Sequence, residues 1–229
     1  MDMESNLFVV ADGVGGYEGG ELASRLAVTS IRAFFRAHLE DRALTWPFAA
    51  DPARTLIENM VSTSVKLANR SIIAKRVGKL SRMSTTVAML ATNRQEVVIG
   101  HIGDSRVYRV REGLIRCLTE DHSLYNDMCR AGVSDLPSLT EFPFSNVITK
   151  ALGMPPSKID PDVYKERPRY GDIYLLCTDG LVETLNANEM AHIIQGNSLE
   201  GACLKLVESA YAKGGRDNIT AVLVEVESL

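Results

Sequence analysis

TTVAMLATNRQEVVIGHIGDSRVYRVREGLIRCL, residues 85–118, sets four short apolar runs one after another. TTVAMLA (85–91), EVVIGHI (96–102), SRVYRV (105–110) and LIRCL (114–118) have the length and composition of β-strands. TNRQ and REG join the outer pairs with loops of hairpin length. The stretch reads as an antiparallel meander. Upstream, the period changes. Leu22, Leu26, Ile31, Phe34 and Phe35 lie close to helical spacing over Glu21–His38. After a less regular stretch from Glu40 to Pro52, Leu56, Met60, Val61, Val65, Ala68 and Ile72 mark a second amphipathic helix.

Downstream, Leu124 and Met128 place a short helix over Asp121–Ala131. Residues 132–170 are proline-rich and irregular, and read as the mobile part of the surface. DIYLLCT (172–178) resumes as a buried strand. Asn186 with Glu189 has the form of a capping box. Leu199, Ala202, Cys203, Leu206, Val207 and Ala210 share a face over Ser198–Lys213, and Gly214 and Gly215 end that helix. ITAVLVEV (219–226) is the last strand. Strands thus come in groups and helices in pairs, unlike the βαβα alternation of a parallel sheet. The pattern implies an α+β fold of two antiparallel sheets stacked face to face with helices outside.

The chain has 229 residues, 45% of them hydrophobic, enough for a substantial core. No linker, repeat or low-complexity tract divides it, so residues 1–229 read as one domain. Lys+Arg 25 against Asp+Glu 29 gives a net charge of −4, which argues against nucleic-acid binding through a basic patch. No apolar run approaches the roughly 18 residues of a membrane span. MDMESN has neither a basic segment nor a signal-type apolar core. Cys117, Cys129, Cys177 and Cys203 form no CxxC pair and suit a reducing compartment. A cytoplasmic protein without membrane or nucleic-acid partners is expected.

LFVVADGVGG, residues 7–16, ends a strand-like run in Asp12, with Gly13, Gly15 and Gly16 close behind. An acid at a strand end beside an exposed carbonyl suits a hard cation, and a tight turn with a solvated acid is the plainer alternative. Asp179 follows DIYLLCT and precedes Gly180; Asp217 follows Gly214 and Gly215 and precedes ITAVLVEV. Singly each reads as a turn residue. Together, each beside an apolar strand, they favour a divalent metal, because carboxylates brought together must be neutralised. There is no HExxH, GxSxG, GxGxxG or P-loop, and His38, His101, His122 and His192 show no zinc spacing. An oxygen-ligand site without a protein nucleophile suggests metal-activated water.

LFVVADGVGG followed by GELAS, then MSTTVAMLAT, IGDSRVYRVREG, LTEDHSL, ITKALG, GDIYLLCTDGLVETL and GGRDNITAVLVEV, resembles the metal-dependent protein Ser/Thr phosphatases (PPM, type 2C) in their short bacterial form. The motifs occur in family order over nearly the whole chain. The resemblance implies a four-layer α-β-β-α sandwich and hydrolysis of phosphoserine and phosphothreonine in proteins by water held between two Mn²⁺ or Mg²⁺ ions. It also implies phosphorylated protein partners and an opposing bacterial Ser/Thr kinase. Asp12 corresponds to the carboxylate bridging both metals and the Gly13 carbonyl to a ligand of the second. Asp179 and Asp217 correspond to ligands of the first. Asp121 corresponds to the acid that shares a third, weaker ion with Asp179. Asp104 is read first as a turn and hydrogen-bonding residue, with a metal role as the minority view. His122 and Ser123 are read as local structure, Asp172 and Asn218 as fixing turns around the acids, and 132–170 as the family's flap.

The family's usual first segment, with a phosphate-binding Arg and an acidic motif on a strand before LFVVADG, has no match in MDMESN. Asp2 and Glu4 do not take its role, and an exposed sheet edge is expected. Three accounts are an internal methionine recorded as the start, a truncation, or a phosphoprotein-binding relative with little catalysis. The first is preferred because the three acids are intact. A catalytically weak regulatory relative and a metal-stabilised structural domain stand as the alternatives in function.

Overall fold

The computed structural model describes residues 2, 4–14, 19–93, 95–155 and 159–227. Gly15, Gly16 and Arg94, which belong to stretches read above, lie outside the described residues. The elements run β1 (Leu7–Val10), β2 (Gly13–Val14), α1 (Gly19–Glu40), α2 (Leu56–Ile73), β3 (Ser84–Thr85), β4 (Val87–Thr92), β5 (Val97–Ile102), β6 (Arg106–Arg111) and β7 (Leu114–Cys117). There follow α3 (Leu124–Arg130), β8 (Asp162–Glu166), β9 (Ile173–Cys177), α4 (Asp179–Val182), α5 (Ala187–Gln195), α6 (Leu199–Ala212) and β10 (Ala221–Glu225).

Two antiparallel four-stranded sheets carry the fold, ordered β1-β4-β5-β8 and β10-β9-β6-β7. Strand alternation assigns each face. On β4, Val87, Met89 and Ala91 meet Ile31, Phe35, Val61, Val65 and Ile72 of α1 and α2. The intervening Ala88 and Leu90 join Phe8, Val10, Val97 and Ile99, facing Val107, Tyr174, Leu176 and Val224 of the other sheet. The outer face of that second sheet, with Tyr108, Val110, Leu175 and Leu223, packs on Leu181, Met190, Ile194, Ala202 and Leu206 of α4, α5 and α6. The layers are therefore α-β-β-α, as the grouping of the elements implies.

Four expectations change in detail. The run 85–118 is not one meander: β4 and β5 pair in one sheet, β6 and β7 in the other, and the chain crosses between sheets at Gly103–Ser105. The helix expected over Asp121–Ala131 starts later, because the Ser123 side chain caps α3 by accepting from the Asn126 amide at 3.3 Å. The stretch 132–170 is not irregular throughout: β8 pairs with β5, His101 opposite Asp162. DVYKE carries too little apolar alternation to announce this strand, and pairing with the buried β5 supplies what the local pattern lacks. The strand expected over 219–226 starts at Ala221, so a short loop separates it from Asp217.

The capping box at the head of α5 is present: Asn186 Oδ1 accepts from the Glu189 amide and Glu189 Oε2 accepts from the Asn186 amide. α2 has a second one, from Thr55 and Glu58. β1 and β10 are edge strands of their sheets and lie near each other across the sandwich. Asp2 is paired with Arg36 of α1, on which Glu4 also sits at 3.6 Å, so neither acid faces the site described next.

Candidate metal centre

Three segments distant in sequence meet at one end of the sandwich. The first leaves β1 at Asp12. Thr85 Oγ1 and the Thr86 amide both donate to the Asp12 carbonyl, at 2.7 and 2.8 Å, and the Asp12 amide donates to Thr86 Oγ1 at 3.0 Å. These bonds fix the backbone and so the origin of the Asp12 carboxylate. Gly13 follows as the first residue of β2, where a Cβ would stand 2.4 Å from the carbonyl carbon of Gly20 at the start of α1. Only glycine permits that approach, which answers why the acid is followed by one. Asp12 and Gly13 line one cavity of about 360 Å³ with Thr178, Asn218 and Thr220.

The second and third segments are zipped together. Thr178 Oγ1 donates to the Asn218 carbonyl at 2.8 Å and accepts from the Thr220 amide at 3.0 Å. A Cβ at Gly180 would stand 2.7 Å from the Asn218 carbonyl oxygen, so this crossing also requires glycine. Asp179 opens α4 and Asp217 precedes Asn218; each accepts from the amide of the residue after it, at 2.8 and 2.7 Å. Such amide bonds hold a carboxylate in place while leaving its other oxygen free.

The electrostatics show that the acids share a small space. Burial, then the Asp179 and Asp217 carboxylates, push Asp12 up to about 7. Burial and Asp217 raise Asp179. Glu183, one helical turn beyond Asp179, is raised by burial, Asp179 and Asp217. Among the described residues no cation is one of the leading causes of these shifts. Carboxylates brought this close raise one another's pKa. Donors that are all hard oxygens and carry surplus negative charge fit Mg²⁺ or Mn²⁺.

Asp104 combines a turn position with nearness to the acids. It does sit in the bend between β5 and β6, as expected of a turn residue. Its carboxyl also faces the cluster: burial, Asp179 and Asp121 push it to about 7. Asp104, Asp121 and Asp179 line a second cavity, of about 580 Å³, roofed by Thr140, Ser145 and Asn146. Asp121 accepts from both Arg106 Nε and Nη2, at 2.8 and 2.7 Å, so each carboxylate oxygen keeps only its remaining lone pair for another partner.

The supporting residues divide as follows. Ser123 is a cap and Asn218 fixes its loop through backbone groups, as a structural reading requires. Asp172 fixes a turn at the opposite end of β9, accepting from Arg111 and from the Arg169 amide, and so does not support the acids directly. Glu183 had a signal in sequence, its i+4 spacing from Asp179, that was not used.

With this geometry in hand, the comparisons are specific. Residues 2–199 match the family model described as Protein phosphatase 2C. The chain belongs to the protein phosphatase 2C family. It is 33% identical over 222 residues to the serine/threonine phosphatase stp of Listeria welshimeri, covering 96% of this chain and 84% of that protein. It superposes on the serine/threonine phosphatase PstP/Ppp of Mycobacterium tuberculosis with a TM-score of 0.81 at 28% identity, covering 97% and 88% of the two chains. A further phosphatase 2C relative, the PstP catalytic domain in complex with two manganese ions, matches with a TM-score of 0.78 at 26% identity and the same coverage. The sandwich is thus that of the phosphatase 2C family.

Proposed function

We propose that Asp12, Asp179 and Asp217, with the Gly13 carbonyl, hold two divalent cations, Mn²⁺ or Mg²⁺, and that Asp121 and Asp179 share a third. The chain is a metal-dependent protein serine/threonine phosphatase, and its substrates are phosphorylated proteins. The observation that carries the assignment is the convergence of Asp12, Asp179 and Asp217 from three segments distant in sequence, where burial and the other two carboxylates raise Asp12. A site that gathers carboxylates from three segments against one another is suited to cations.

When bound, the cations lower the pKa of coordinated water and offset charge on the phosphoryl oxygens. The protein's own contribution is placement. Thr85 and Thr86 hold Asp12, and Thr178 locks the Asp179 and Asp217 loops together, so the carboxylates need no reorganisation when substrate arrives. Water adds to phosphorus while the bond from phosphorus to the Ser or Thr oxygen breaks, and that oxygen leaves protonated. The larger cavity between the acids and residues 139–148 gives the polypeptide around the phosphorylated residue a place to lie. We take the stretch 132–170, apart from β8, as the flap that borders it, a cytoplasmic bacterial-type Ser/Thr kinase as the source of substrate, and residues 1–229 as one domain. The free cysteines are in keeping with that compartment.

The test is hydrolysis of a phosphothreonine peptide by the 229-residue chain with and without Mn²⁺, beside Asp179→Ala and Asp217→Ala. Each variant is expected to lose at least about a hundredfold in kcat while keeping its far-UV circular dichroism. Full activity in both would overturn the assignment.

A further inference from the structure

A second convergence of polar side chains lies behind the acids. His101 of β5, His122 before α3 and Asp162 of β8 bring one potential ligand atom each within 4.8 Å of one another. The His101 and His122 rings stack, 5.1 Å between centroids and 18° between planes. His101 is fully buried and neither ring nitrogen has a hydrogen-bond partner among the described residues. This donor set invites a transition-metal reading, but the hydrogen bonds oppose it. His122 Nδ1 accepts from the Gly103 amide at 3.1 Å, so that nitrogen carries no proton. The proton of the neutral ring is then on Nε2, which faces Asp162 Oδ1 at 3.5 Å. The atom that would ligate is a donor. The Lys150 ammonium already stands 3.3 Å from His122 Nε2 and 3.6 Å from Asp162 Oδ1, where a metal ion would sit.

What the cluster joins is more telling. The His122 amide donates to the Gly103 carbonyl at 2.8 Å, so backbone and side chain together grip one residue, immediately before Asp104. The neighbour of His122 on the other side is Asp121. Ser105, at the far end of the same bend, lies 2.7 Å from Thr86 through their hydroxyls, and Thr86 accepts from the Asp12 amide. On the outer side, the Thr149 amide donates to the His122 carbonyl and Lys150 follows it, both at the end of the stretch that roofs the large cavity.

We infer that His122 is a positioning residue, facing Asp162, which Lys150 also neighbours, and that it fixes the Gly103–Asp104 bend and Asp121 against the acid cluster and so sets its affinity for divalent cations. The inference rests on the reading of the acids as a cation site. It assigns the paired histidines to hold the site from behind and not to a metal of their own.

Asn at position 122 can offer Oδ1 where Nδ1 now accepts from Gly103, while Leu cannot. Mn²⁺ binding to the full chain is measured by titration calorimetry for wild type, His122→Leu, His122→Asn and Asp162→Asn, with the metal dependence of phosphothreonine-peptide hydrolysis as a second readout. His122→Leu is expected to weaken Mn²⁺ binding at least about tenfold, the size typical of losing a group that orients a metal ligand. His122→Asn is expected to recover to within about threefold of wild type, and Asp162→Asn to fall between, with the number of ions bound unchanged throughout. Asp162 is partly exposed, so Asp162→Asn serves if His122→Leu does not fold. Unchanged affinity in Asp162→Asn or in a folded His122→Leu, no recovery in His122→Asn, or the loss of one bound ion in any variant overturns the inference. If the wild type binds no Mn²⁺, the reading of the acid cluster falls and the inference with it; if it binds and the variants match it, the inference alone falls.

Discussion

Asp12 shows how much of the chemistry resides in single residues. Burial and then the Asp179 and Asp217 carboxylates push its carboxyl up to about 7 in the folded chain, from 3.8 for an unperturbed aspartate. Between those values the metal-free folded chain holds a proton that the unfolded chain has released. The stability this contributes is present below about 4, declines as pH rises, and is gone above about 7. Asp104, also pushed to about 7, adds to the same trend. A divalent cation competes with those protons. The increment in Tm given by saturating Mn²⁺ is therefore expected to grow from about pH 5 to about pH 7.5, followed by differential scanning fluorimetry. An increment that is flat or shrinks over that range would contradict the arrangement. Single residues were also the most uneven part of the sequence reading. Asp12, Asp179 and Asp217 announced themselves because each ends or precedes an apolar run beside glycine. Asp104 and the pairing of His101 with His122 did not, because Asp104 meets Asp179 and Asp121, and His101 meets His122, only through the tertiary fold, which no local pattern connects.

At the scale of elements, the parts with a strong period were legible and the parts defined by partners were not. α1 and α2 follow from apolar spacing, and the α5 cap from two residues. β8 is a strand because β5 lies beside it, and β2 and β3 are two residues each, below the length at which alternation can be seen. The crossing between sheets at Gly103–Ser105 was hidden for a related reason: a loop between sheets and a hairpin look alike at this length. Elements that merely support the sandwich should be separable from the site. Asn186→Ala removes the α5 cap and is expected to cost about 1 kcal/mol in urea unfolding while leaving the Mn²⁺ requirement of hydrolysis unchanged. A shift in that requirement would mean that α5 reaches the acids, which its packing against α6 and β7 does not indicate.

For the molecule as a whole, the sandwich explains why acids from opposite ends of the sequence can be held so close. Sheet-to-sheet packing between Phe8, Val10, Leu90 and Ile99 on one side and Val107, Tyr174 and Leu176 on the other fixes where β1 and β9 end relative to each other. Asp12 and Asp179 stand just beyond those ends. Leu176→Ala, at a fully buried position in that layer, is expected to cost about 2–5 kcal/mol by denaturant unfolding. The most direct test of the central claim is the anomalous difference map of a crystal of this chain equilibrated with Mn²⁺. Two peaks among Asp12, Asp179 and Asp217 are expected. Absence of a peak there, or manganese seated only between His101, His122 and Asp162, would contradict it.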